Sequence, residues 1–180
     1  MTRRLPARTI TLLALWIAVT VALGYALATV PNVELVTASV FLSGYLFGPA
    51  AGTLVGVSAE FLYSLTSPYG LAAPPLLVAQ LLGMAFAGFA GGWMGRSASS
   101  QRAGLRLHLA FGLAGLVVTL VFDLVTTASF LVFSGITLEK LLVSAVFGLG
   151  FYLVHIGWNT LVFATVLPAL AIQLRNRLRF

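Results

Sequence analysis

Three ionisable side chains lie inside long apolar segments of this sequence: Glu60, Asp123 and His155. Ionisable groups in membrane segments are energetically costly and usually serve a function. Asp123 has a threonine four residues away on each side, Thr119 and Thr127, so that all three share one helical face. We interpret at least one of the two acids as a functional group that forms hydrogen bonds with a bound molecule.

A second polar stripe runs along the last apolar segment. Tyr152, His155 and Asn159 recur at spacings of three and four residues, which places them on one face of a helix, and Trp158 lies beside them. Such a polar stripe in a membrane helix indicates that this face of the helix lines a cavity. The alternative is that Glu60, Asp123 and His155 only hold neighbouring helices together, and the sequence leaves it open.

The motifs of several other chemistries are missing. The sequence has no cysteine, which excludes disulfides, thiolate metal sites and cysteine nucleophiles. It contains no HExxH motif, no serine in a nucleophile elbow and no nucleotide-binding loop. We therefore expect neither enzymatic activity nor a cofactor or metal site.

Composition points to the membrane. The 180 residues are 60% hydrophobic and 8% charged, with a mean hydropathy of +1.06, whereas soluble domains are roughly one quarter charged. A secreted enzyme, a nucleic-acid-binding module and a disordered chain all fit this composition poorly. The net charge of +6 comes from basic clusters at 3–8, 96–106 and 175–179, which flank apolar segments and so indicate contact with the headgroups of a lipid bilayer, not with nucleic acid.

The charged residues divide the chain into apolar segments. These segments together predict an all-α integral membrane protein with one domain. The stretch 35–66 fits one kinked helix or two short ones. Two helices with a turn near 47–51 place all three basic clusters and both termini in the cytoplasm, as the positive-inside rule requires. We expect the first segment to be a span and not a cleaved signal peptide. The six predicted transmembrane helices are 9–29, 35–47, 50–66, 75–95, 107–133 and 141–173.

Small residues recur every fourth position in two of these segments. Ala14, Ala18 and Ala22 form a stripe in the first one, and small stripes let helices approach closely in lipid. The stripe either packs within the chain or docks another membrane subunit, and both interpretations remain open. A glycine ladder from Gly44 to Gly56 predicts close packing of the second and third helices.

The polar residues of the predicted outer half define a candidate small-molecule pocket. Its formal charge is negative, so Coulomb repulsion disfavours a polyanionic ligand and favours a neutral, donor-rich or cationic ring compound. The predicted pocket residues are Asn32, Glu34, Glu60, Tyr63, Gln80, Asp123, Tyr152, His155, Trp158 and Asn159.

These features together resemble the S component, the substrate-binding subunit, of energy-coupling factor (ECF) vitamin transporters. The resemblance rests on the alanine stripe, the six-span layout of nearly the whole chain, the segment 31–37 (PNVELVT), and the stretches 44–56 and 74–92 with Gln80 and Met84. It implies a six-helix bundle in the cytoplasmic membrane that binds a vitamin on its extracellular side. It also implies that the stripe Ala14, Ala18 and Ala22 faces a transmembrane T component, which two cytoplasmic ATPases drive.

The substrate does not follow from the sequence. The patterns of riboflavin, thiamine and biotin binding are not evident in it. The acid-rich pocket favours an amino-bearing heterocycle, and the segment 31–35 is also similar to members linked to cobalamin uptake, so a corrinoid is the second hypothesis. Outside this family, the alternatives are a non-transport membrane scaffold or assembly protein and a solitary small-molecule carrier.

Overall fold

Helices account for the secondary structure of the protein in the computed structural model, which describes residues 6–97 and 104–178. No strand occurs in these two ranges, so the predicted all-α fold is confirmed, with seven helices where the sequence predicted six. Four residues of the basic clusters, Arg3, Arg4, Arg102 and Arg179, lie outside the described residues. The helices are α1 (Ala7–Ala26), α2 (Val36–Phe47), α3 (Pro49–Thr66), α4 (Pro74–Ser97), α5 (Leu105–Phe130), α6 (Leu138–Thr165) and α7 (Leu167–Leu178).

Four of these helices, α1, α4, α5 and α6, are long and apolar enough to cross a bilayer. Their outward surfaces carry large apolar side chains, among them Leu82, Leu113 and Phe147, which are more than half exposed. Such surfaces are stable in lipid and not in water. The chain is therefore a multi-pass membrane protein, as its composition predicted.

The last predicted span, 141–173, divides into two helices. α6 ends at Thr165 and α7 begins at Leu167, with Pro168 in its first turn. Proline has no backbone N–H, and its ring clashes with the carbonyl four residues earlier, so Pro168 ends a continuous helix here and is tolerated at the start of a new one. α7 carries Arg175 and Arg177 in its last turn, where positive charge stabilises a helix end.

Glycines allow the backbones of α2, α3 and α4 to touch. A Cβ atom added to Gly88 would overlap the carbonyl of Gly52, and one added to Gly44 would overlap the carbonyl of Gly88. The same holds for Gly56, Gly91, Gly92 and Gly95, which meet main-chain atoms of Met84, Phe41, Pro49 and Tyr45. Contact of this kind supplies the dispersion attraction that holds helices together where lipid removes the hydrophobic driving force.

The turn between α2 and α3 also requires glycine. Gly48 has a φ of +94°, a conformation that side-chain-bearing residues rarely adopt. Pro49 follows at the first position of α3, where its missing N–H has no helical partner in any case. The turn reverses the chain and places α3 against α2.

α2 is the central helix of the bundle. All residues from Val36 to Tyr45 are buried. Phe41 packs edge-to-face on Phe163 of α6 and Phe111 of α5, with ring centroids 5.0 and 5.9 Å apart. α2 therefore joins the glycine-packed helices to the α5–α6 pair.

α1 packs on this core through one face only. Leu13, Thr20 and Gly24 are buried, whereas the stripe Ala14, Ala18 and Ala22 is exposed. Within the described residues, the stripe has no helix packed against it. Its small side chains remain available on the outer surface of α1.

We expect Gly88→Ala to destabilise the protein by about 2–3 kcal/mol or to prevent folding, because the added methyl group forces α3 and α4 apart. Gly150→Ala in α6 is the matched control, since a Cβ there meets nothing within 4 Å. Thermal unfolding in detergent measures both variants. Equal midpoints for the two would contradict the role of backbone contact.

Candidate functional site

Two polar contacts join the C-terminal part of α5 to the middle of α6. The hydroxyls of Thr127 and Tyr152 share a hydrogen bond. One turn deeper, Asp123 Oδ1 lies 2.7 Å from His155 Nδ1. These contacts direct the Asp123 carboxylate and the His155 imidazole between the two helices, where they are largely shielded from the surroundings.

The loop between α1 and α2 is tied to α6 through Glu34. One carboxylate oxygen accepts the Thr37 N–H at 2.8 Å, which satisfies a free donor in the first turn of α2. The other accepts Asn159 Nδ2 at 2.8 Å. The Glu34 carbonyl accepts the indole N–H of Trp158 at 2.7 Å. The backbone and the side chain of one residue therefore fix the loop to α6.

His155 lies between two carboxylates, with Nε2 3.6 Å from Glu34 Oε1 and Nδ1 on Asp123. Burial by itself raises the pKa of Glu34, which lies in the loop outside the helices. The nearby imidazole lowers it, helped by the two N–H donors already described, so that the pKa lies below its ordinary value overall. The stabilisation from these bonds is therefore fully present above the ordinary pKa of glutamate and is lost as the pH falls through the lowered value.

A cavity of about 220 Å³ opens beside this network. The loop, α4, α5 and α6 each contribute to it, and its walls include the rings of Phe122, Phe130 and Phe151. Aromatic walls with a few convergent polar groups are the usual composition of a small-molecule site. Five of the predicted pocket residues line it: Asn32, Gln80, Asp123, Tyr152 and His155.

The other predicted residues fall into two groups. Glu34, Trp158 and Asn159 form the network just described, adjacent to the cavity through His155. Glu60 is buried in α3 and Tyr63 packs its ring on Tyr25 of α1, with centroids 5.4 Å apart. Neither Glu60 nor Tyr63 is among the described residues that line the cavity.

The site contains buried acceptors that lack donors. Asp123 Oδ2, Gln80 Oε1 and Asn159 Oδ1 have no hydrogen-bond partner among the described residues. An unpaired buried polar group costs about 1–3 kcal/mol. A ligand that brings N–H or O–H groups would remove this cost, so the site is suited to a donor-bearing molecule.

Some residues of the site were not predicted from the sequence. Thr127 was noted only as a neighbour of Asp123, but it bonds the Tyr152 hydroxyl. Phe122 and Phe151 line the cavity, yet in an apolar segment nothing distinguishes them from phenylalanines that face lipid. The described residues contain no group of three or more His, Cys, Asp or Glu side chains arranged to hold a metal ion.

Comparison with known families gives a match that covers most of the chain. The profile of the family described as ECF-type riboflavin transporter, S component, matches residues 4–174. This confirms the resemblance to S components that the sequence predicted. No curated protein and no solved structure gives a significant match.

We expect Glu34→Gln to loosen the α1–α2 loop. The amide keeps the size of the side chain, but its one oxygen can accept from only one of the two donors, and its NH₂ group faces the other, either the Thr37 N–H or Asn159 Nδ2. Because the chain has no native cysteine, the labelling rate of a single cysteine at Val33 by a maleimide in detergent reports loop exposure. It should rise about tenfold, equivalent to ~1.4 kcal/mol.

Glu139→Gln is the control for this measurement, because Glu139 is an exposed acid in the first turn of α6. It should leave the labelling rate unchanged. An unchanged rate in Glu34→Gln as well would mean that the carboxylate does not hold the loop.

Proposed function

Since the chain belongs to the family of ECF-type riboflavin transporter S components, we propose that it captures a vitamin-like molecule outside the cell for an ATP-driven importer. The observation that carries this proposal is the cavity beside Asp123 and His155, which combines aromatic walls with unpaired acceptors. The family is one of transporter subunits and not of enzymes, in agreement with a site that binds a molecule and releases it unchanged.

The cavity supports a flat ring compound as the substrate. Phe122, Phe130 and Phe151 offer faces and edges for stacking. Riboflavin, which the family description names, and the amino-bearing heterocycle expected from the sequence both combine a flat ring with N–H or O–H donors. A corrinoid is far larger than a cavity of about 220 Å³, so we favour the two ring compounds over it.

Asp123 is the residue that we assign to substrate recognition. His155 holds Oδ1, which leaves Oδ2 as an acceptor for a donor on the ligand. Gln80 on α4 contributes a second acceptor across the cavity lining. The substrate would thereby bridge α4 and α5.

We propose six membrane crossings, by α1 to α6, with both termini and α7 on the cytoplasmic side. Arg96 and Arg175 line one pocket together with the Gly48 turn, which supports a common end for these basic residues. The positive-inside rule assigns that end to the cytoplasm. The cavity beside Asn32 and Phe130 then opens toward the opposite, extracellular end.

The exposed alanine stripe of α1 is the proposed contact for the T component of the transporter, which two cytoplasmic ATPases would energise. Ala14, Ala18 and Ala22 lie on the surface of the described structure. A surface stripe of small residues lets a partner helix approach closely in lipid. The substrate site and the partner surface would then lie on different helices and be separable by mutation.

Asp123→Ala should weaken ligand binding at least about tenfold, the loss of one charge-assisted hydrogen bond, and leave the protein folded. Two measurements apply: mass spectrometry of small molecules released from purified protein, and thermal shifts with riboflavin, thiamine and cobalamin. Glu139→Ala, an exposed acid on α6, should bind like the wild type. A wild type that releases no ligand and responds to none of the three would favour a membrane scaffold.

Ala18→Trp should abolish co-purification with a T component and ATP-dependent uptake while ligand binding persists, because the indole prevents close approach of the partner helix. Leu113→Trp is the control, on the exposed surface of α5. Uptake at the wild-type rate in Ala18→Trp would exclude the stripe as the docking surface and favour a solitary carrier.

A further inference from the structure

An apolar groove of about 390 Å³ lies between α1, α2, α6 and α7. We define it by Leu15, Leu42, Val162 and Leu170, one residue from each of these helices. The groove shares no described lining residue with the cavity beside Asp123. It is therefore a second cavity, separate from the candidate ligand site.

The polar groups in the wall of the groove are already paired. The indole N–H of Trp16 donates to the Ser39 carbonyl at 3.0 Å, and the hydroxyls of Ser39 and Thr20 share a hydrogen bond of 2.7 Å. The other described residues that line the groove are apolar, and none of them carries a buried unpaired polar atom. Because a polar group without a partner is costly in such surroundings, the groove is suited to a hydrocarbon chain.

The groove has the depth of one leaflet of a bilayer. Its α1 wall extends from Leu12 to Leu23, which is about 16 Å at the rise of an α-helix. The hydrocarbon core of a bilayer is about 30 Å thick, and each leaflet supplies half of it. A transmembrane helix of a partner crosses the full thickness, whereas one acyl chain occupies a single leaflet and matches the shorter length.

A pocket of about 370 Å³ between Arg96 and Arg175 adjoins the groove, and we name it the basic pocket. The ring of Phe47 in its wall packs edge-to-face on the ring of Trp16 in the wall of the groove, with centroids 5.6 Å apart. Along α7, Arg175 of the basic pocket directly follows Leu174 of the groove. The two cavities are therefore neighbours.

The lining of the basic pocket is positively charged. Arg96 lies in the last turn of α4 and Arg175 in the last turn of α7, and the Arg175 guanidinium carbon is 6.0 Å from the centre of the Tyr45 ring. No acidic residue is among the described residues that line the pocket. Guanidinium groups bind phosphate through parallel, charge-assisted hydrogen bonds. The pocket is therefore suited to a phosphate group.

We propose that the basic pocket and the apolar groove together bind one anionic phospholipid of the cytoplasmic leaflet. Its phosphate would lie between Arg96 and Arg175, and one acyl chain would fill the groove beside Trp16 and Leu170. A free phosphate would leave the groove empty, and an apolar partner helix would bring no anion to the arginines. The choice of leaflet follows from the proposed orientation of the chain, whereas the lipid class follows from the two cavities.

The headgroup is tested with phosphatidylglycerol, which is anionic, against phosphatidylcholine with the same acyl chains. Each lipid is added to the protein in detergent, and binding is measured by native mass spectrometry and by thermal unfolding. Phosphatidylglycerol should bind the wild type more tightly than phosphatidylcholine and raise its unfolding midpoint. The double variant Arg96→Gln/Arg175→Gln should bind phosphatidylglycerol at least about tenfold more weakly. Arg177→Gln is the control, because Arg177 is exposed in the same turn of α7 and does not line the pocket.

The groove is tested with Leu170→Trp, because the indole would occupy the space of the acyl chain. This variant should bind both lipids about tenfold more weakly, the equivalent of about two methylene groups that are no longer buried. Leu113→Trp on the exposed surface of α5 is the control and should bind both lipids like the wild type.

Four results would overturn the proposal. Equal affinity of the wild type for the two lipids, or equal binding of phosphatidylglycerol by the double variant and Arg177→Gln, would exclude the basic pocket as the headgroup site. A wild type that binds inorganic phosphate but not phosphatidylglycerol would assign the pocket to a soluble anion. Wild-type lipid binding by Leu170→Trp, with loss of co-purification with a T component, would assign the groove to a partner helix. If the double variant does not fold, Arg96→Gln alone gives the same comparison.

Discussion

Contact between the backbones of α2, α3 and α4 is the constraint on which the other features depend. Because glycines remove the side chains from this interface, the three helices pack as one unit and α2 is enclosed along most of its length. The enclosure fixes the first turn of α2, and with it Thr37 and the adjacent Glu34. A network of hydrogen bonds at the end of a helix keeps its geometry only if the helix itself cannot shift, and here the glycine contacts prevent that shift.

The side of the cavity that α6 forms is attached to the α1–α2 loop in a different way. Only 6% of the apolar stretch of α6 is buried, against 39% of the apolar stretch of α4. The α1–α2 loop meets α6 through hydrogen bonds from Asn32 and to Glu34, not through close packing. Separating α6 from the loop therefore breaks a few polar bonds and leaves the glycine-packed helices intact.

The sequence predicted the all-α fold because hydropathy and charge indicate long apolar helices directly. It did not predict the division at Pro168, since the apolar run continues through it and composition alone does not end a helix. For the candidate site, polar residues in apolar segments indicated Asp123 and His155, and both line the cavity. Polar residues were not sufficient to exclude Glu60 and Tyr63 from the cavity, because periodicity defines a helix face but not the neighbour that it meets. In lipid both faces of a helix are apolar, so Phe122 gave no signal at all.

His155 contacts both the cavity and the α1–α2 loop. Its Nδ1 holds the carboxylate of Asp123 on the cavity side, and its Nε2 faces the carboxylate of Glu34 on the loop side. Without an imidazole between them, the two acids would repel each other, and the loop would lose part of its attachment to α6. A ligand donor on Oδ2 would bind the same carboxylate that holds the imidazole through Oδ1. The α1–α2 loop and the lining of the cavity therefore meet at one side chain, whose two ring nitrogens face one carboxylate each.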